Sequence, residues 1–93
     1  MIIGILTLQL YIAGSTSLKQ KRMVLHSFKE RLRNSFNVAV TQVADEDKWQ
    51  KSTLAVVGVE RDRRLADSLL SRVLNFSNEF AGISIINHET ELI

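Results

Sequence analysis

The hydrophobic period of this chain switches repeatedly between two and about 3.6 residues, and those switches fix the order of its elements more tightly than any single motif. Leu6, Leu8 and Leu10 alternate with Thr7, Gln9 and Tyr11, the pattern of a half-buried strand, so a first strand is expected over residues 2 to 12. Gly14-Ser15-Thr16-Ser17 breaks it with small and hydroxyl-bearing residues, and Ser17 is placed to accept a bond from the free amides that begin a helix. That helix should run from Leu18 to Ser35, because Leu18, Leu25, Phe28 and Leu32 return at helical spacing. NVAVTQVA from Asn37 and STLAVVGVE from Ser52 are two short β-rich runs joined by the polar DEDKWQK, which together read as a hairpin. Asp62 can cap a second helix over residues 63 to 79, with Leu65, Leu69, Val73 and Phe76 as its buried stripe, and Gly82 precedes a last strand, ISIINHETEL.

The order β-α-β-β-α-β is a split pair of βαβ units. Right-handed crossovers close it into one four-stranded antiparallel sheet with both helices on the same face, an α+β ferredoxin-like architecture. Leu6, Leu8, Leu10, Leu25, Phe28, Leu32, Leu69 and Val73 should share one core. At 93 residues, 45% hydrophobic and 24% charged, residues 1–93 are expected to form a single domain with a small core that a partner subunit would help to stabilise. With no cysteine, disulfides, thiolate zinc sites, iron–sulfur ligation and a cysteine nucleophile are excluded, which suits a reducing cytoplasm. The opening MIIGILTLQLYIAG is not expected to be a targeting or membrane segment: no basic residue precedes it, Thr7 and Gln9 interrupt it, and it is too short to span a bilayer.

Charge is unevenly spread. Between Lys19 and Arg33 lie six basic residues and one acid, a balance of +5 in a chain whose total is +2. At 100° per residue Lys19, Arg22, His26, Lys29 and Arg33 fall within an arc of roughly 80° beside the apolar stripe. A one-sided basic face of that length can track phosphates, so these five residues are the candidate nucleic-acid contacts, with RNA or a ribosomal subunit as the candidate partner; the alternative is a solvated helix face without a partner. Lys21 is different, because its angle places it among Leu18, Leu25 and Phe28, facing the sheet. If its amine snorkels to the Gly14, Ser15, Thr16 and Ser17 turn, the two would form an anion pocket. Otherwise the stem covers the core edge and the amine meets water or a carboxylate.

Enzymatic readings fare worse. Acylphosphatases share this topology but need an arginine in the loop after strand 1, and Ala13 to Ser17 contains none. His26 and His88 lie on different elements without a second ligand at helical spacing, and Asp45-Glu46-Asp47 lacks the spacing and glycine of a calcium loop. No catalytic residue, metal or cofactor is therefore expected. An RNA-recognition module of the same topology would carry aromatic residues on its central strands, whereas here only Tyr11 is available, so RNA should meet the first helix and the strand ends. Trp49, in the hairpin connection, either lids the sheet edge or a subunit contact, or stacks a base. Both faces of the third strand are apolar, and one sheet face is uncovered by helices. Trp49, Val57 and Val59 are thus candidate interface residues, and a homodimeric ligand- or protein-binding regulatory module is the alternative function.

SLKQKR at 17 to 22, RLRNSFNVAV at 31 to 40 and D-x-W-Q at 47 to 50 occur in an order and spacing that resemble the small bacterial YlxP-like proteins, a domain-of-unknown-function family. The resemblance covers nearly the whole chain. It implies a ferredoxin-like fold, a cytoplasmic bacterial protein, and relatives often encoded beside translation-initiation and ribosome-maturation factors. It implies no catalytic residues.

Overall fold

A computed structural model describes residues 1–93. It consists of β1 (Ile2–Ile12), α1 (Leu18–Ser35), β2 (Ala39–Ala44), β3 (Lys51–Glu60), α2 (Arg63–Asn78) and β4 (Ile83–Leu92). The four strands form one sheet in the order β2-β3-β1-β4, antiparallel throughout. This is the expected ferredoxin-like α+β arrangement.

The even positions of β1, from Leu6 to Ile12, are fully buried under the helices and pair with the even positions of β3, as in Leu6 with Val56 and Leu8 with Leu54. The odd positions form the open face, where Ile3 lies opposite Val59 and Ile5 opposite Val57. A slip of one residue would turn the leucines to solvent, so burial of this one set pins the register. All eight expected core residues lie in one cluster of fourteen.

Both helices begin as the sequence predicts. The Ser17 hydroxyl accepts from the Gln20 amide at 3.2 Å and the Asp62 carboxylate from the Leu65 amide at 2.9 Å, each satisfying an amide that has no partner within the helix. The buried side of α2 differs from the expected stripe. Ala66, Leu69, Leu70, Val73 and Ser77 are buried, while Leu65 and Phe76 lie only partly covered. Ser77 can be inside because its hydroxyl donates back to the Val73 carbonyl at 2.8 Å, leaving no unpaired donor.

Gly4 and Gly58 let α2 approach the sheet. A Cβ at Gly4 would stand 3.2 Å from Leu70, and one at Gly58 only 2.5 Å from the Leu69 Cδ2. Gly58→Ala should therefore push Leu69 out of its place in the core and cost about 1 to 3 kcal/mol, read as a lower denaturation midpoint at unchanged slope. Unchanged stability would mean that α2 yields freely at this contact.

Candidate nucleic-acid interface

On α1, Lys19, Arg22, His26 and Arg33 are exposed and Lys29 is partly covered. The core of the helix is formed by Lys21, Leu25, Phe28 and Leu32, so the five basic residues occupy one flank of the cylinder. From Lys19 to Arg33 that flank runs about 21 Å at helical rise. It lies on the β2 side, because the Arg33 guanidinium donates to the Val40 carbonyl at 3.0 Å. This bond fixes the end of the stripe against β2. Arg31 projects elsewhere, toward Phe76, Glu79 and Phe80.

The basic surface is wider than α1. Arg61, Arg63, Arg64 and Arg72, on or just before α2, are also exposed. Residues 18–35 and 61–78 together hold ten of the twelve lysines and arginines and three of the ten acids, a balance of +7 that leaves −5 for the rest of the chain. The only ion pair in the molecule is Lys48 to Asp45 at 3.3 Å, in the β2–β3 turn. No cation of the helical layer is neutralised by a carboxylate. The α2 arginines were missed in the sequence because R-D-R-R at 61 to 64 includes the Asp62 cap and shows no stripe of its own.

Lys21 departs from the expected anion pocket. Its side chain is 2% exposed, and its amine donates to the Asp45 carbonyl and, at 2.5 Å, to the Lys48 carbonyl. It thus ties α1 to the β2–β3 turn, not to the Gly14 to Ser17 loop. The physical reason is acceptor supply: Asp45, in left-handed backbone at φ 64, starts a tight turn whose carbonyls point inward. The loop meanwhile spends its own groups. The Thr16 amide and hydroxyl both donate to Gln20 Oε1, at 2.7 and 2.8 Å, and the Ser15 hydroxyl donates to the Ser17 carbonyl at 3.1 Å. Burial pulls the Lys21 ammonium below its ordinary range, opposed by the charges of Asp45, Asp47 and Glu46. The Asp45 carboxyl is held below its ordinary range by the hydrogen bond from Thr53 and by Lys48.

The proposed interface residues do not form one patch. Val57 and Val59 lie on the open sheet face beside Ile5 and Ile3. Trp49 stands at the opposite end of β3, in the turn, 56% exposed. It shares a cleft with Tyr11, Ser15, Thr16, Lys48, Gln50 and Lys51.

Fold and charge together define a small ferredoxin-like domain with a strongly basic helical layer over a sheet whose outer face is open. Residues 3–90 match the family model described as "Protein of unknown function (DUF503)", and the chain belongs to that family. It is 33% identical over 89 residues to "Uncharacterized protein YlxP" of Bacillus subtilis (strain 168), a match covering 96% of this chain and 97% of that relative. No helix is long and apolar enough to cross a membrane.

Proposed function

We propose that this protein is a non-catalytic, RNA-associated accessory factor that lays its helical layer on the phosphate backbone of structured RNA, in the ribosome or its precursors. The observation that carries the proposal is the +6 balance that the helical layer presents once the buried Lys21 is set aside, with no carboxylate paired to it. Unpaired cations on a surface condense anions, and a polyanion that binds there gains by releasing its own counterions. Lys19, Arg22, His26, Lys29 and Arg33 supply the phosphate contacts, positioning the protein without reading bases. The ribosomal setting rests on the family resemblance. Sedimentation with ribosomal subunits at low and physiological salt tests the proposal: the expected result is co-sedimentation at low salt that weakens as salt rises. No co-sedimentation at low salt overturns it.

A homodimeric module is the second reading, favoured by the open sheet face, where Val59 is 54% exposed next to Ile3. Stacking two such faces would cover Ile3, Ile5, Val57 and Val59. Light scattering at high protein concentration should then give twice the 10.5 kDa of one chain, and a mass of one chain would defeat this reading.

A further inference from the structure

A cleft of about 490 Å³ opens at the end of the sheet where β1 finishes and β3 begins, bounded by Tyr11, Ser15, Thr16, Lys48, Trp49, Gln50 and Lys51. Its two walls are pinned together: the Ile12 amide donates to the Gln50 carbonyl at 2.9 Å and the Gln50 side chain to the Ser15 carbonyl at 3.3 Å. From behind, the Lys21 amine holds the turn carbonyls of Asp45 and Lys48. The cleft is therefore a fixed feature of the fold.

Its chemistry is aromatic and cationic. Tyr11 and Trp49 are 38% and 56% exposed, although large aromatic side chains are normally well buried unless they meet a partner. Two lysines and no acid line the space. Lys48, itself exposed, pairs with a partly covered Asp45, and Lys51 is exposed and unpaired.

We propose that this cleft takes an unpaired nucleotide of an RNA strand, its base stacking on Trp49 and Tyr11 and its phosphate meeting Lys51 and Lys48. Two exposed aromatic side chains beside the unpaired Lys51, with Lys48 held only by its pair with Asp45, suit a flat base joined to an anion. A proline-rich peptide would use the aromatic residues but leave Lys51 without a counter-charge. The recognition is tolerant of sequence, because the hydrogen-bonding side chains at the rim are already committed: Thr16 to Gln20, Ser15 to Ser17 and Gln50 to Ser15. The proposal rests on the RNA reading above and adds a site on the strand end, separate from the flank of α1.

Trp49 is the only tryptophan, so its fluorescence reports the cleft directly. A short single-stranded oligoadenylate should quench it, and a blunt RNA duplex, whose bases stay stacked, should bind without quenching. Tyr11→Ala should weaken the oligoadenylate about tenfold and leave duplex affinity unchanged, with Lys51→Gln as a second variant that leaves both aromatic residues in place. If the oligoadenylate does not quench Trp49 at low salt, or if both variants bind it as the parent does, the cleft proposal is overturned. Duplex binding without quenching by the single strand would sink the cleft and keep the basic helical layer. Quenching by the single strand without duplex binding would do the reverse.

Discussion

Lys21→Ala is expected to lower the stability of the domain by about 4 kcal/mol and Lys21→Met by about 2 kcal/mol, against a change within about 0.5 kcal/mol for the exposed Lys19→Met. The side chain is among the largest fully buried ones in the molecule. Alanine removes three methylenes from the core, worth about 0.8 kcal/mol each, and also the amine. Methionine keeps a stem of similar length and deletes the amine alone, so the difference between the two variants isolates the packing. What methionine cannot replace is the donor to the Asp45 and Lys48 carbonyls. The Asp45 carbonyl retains the Lys48 amide, at 3.3 Å, whereas the Lys48 carbonyl loses its protein partner. An acceptor left without a partner costs about 1 to 3 kcal/mol. The relieved desolvation of the ammonium offsets part of that cost. Thermal unfolding should register Lys21→Ala as a loss of roughly 15 to 30 °C, and a melting temperature equal to that of Lys19→Met would show that the turn is held without it.

The same side chain gives stability a pH dependence of definite sign. Its folded-state pKa lies below the ordinary value of 10.5, chiefly through burial. Between the lowered value and 10.5 the unfolded chain binds more protons than the folded one, so this group makes the native state more stable as pH rises through that window. Lys21→Met lacks the titration. The gap in stability between parent and variant should therefore widen as the pH approaches 10.5, and a gap that narrows would mean the charged form is the better accommodated one.

Lys21 also marks where sequence reasoning reaches its limit. The helical period alone placed it on the buried side of α1, and that is where it lies. Its partner was not legible, because the competing acceptors lie 24 and 27 residues away, in a turn whose backbone is set by a non-glycine left-handed residue at Asp45. The leucines of β1 and the caps at Ser17 and Asp62 were legible because each is a local pattern with one physical solution. The stripe of α2 was misread at Leu65 and Phe76, which are only partly covered, while Leu70 and Ser77 are buried. There the choice depends on close approach to Gly4 and on a hydroxyl that satisfies itself, neither of which periodicity records. The five-residue basic flank of α1 was readable from spacing. Its extension to the α2 arginines, and the placing of Tyr11 and Trp49 on one cleft, needed the topology that brings distant segments together.

Affinity for structured RNA should fall by about two orders of magnitude between about 50 and 200 mM salt. Each phosphate neutralised contributes close to one unit to the log–log slope, so four formal charges along the flank (Lys19, Arg22, Lys29 and Arg33) give a slope of about −3.6. Arg33 already donates to the Val40 carbonyl, but a guanidinium has five N–H donors and keeps the rest for phosphate. Replacing Arg22 and Lys29 with glutamine should reduce the slope to about −2 while leaving the fold intact, since neither residue belongs to the buried cluster. The control is a change of equal charge elsewhere. Lys48→Gln with Lys51→Gln removes the same two charges from the turn and β3, outside the helical layer, and should leave duplex RNA affinity nearly unchanged. Equal losses from both pairs would mean that the protein senses RNA through its net charge and not through the face of α1. Absence of binding at low salt, or an unchanged slope in the Arg22 and Lys29 variant, would reduce the basic flank to a solvated surface and leave the open sheet face as the part of the molecule that needs a partner.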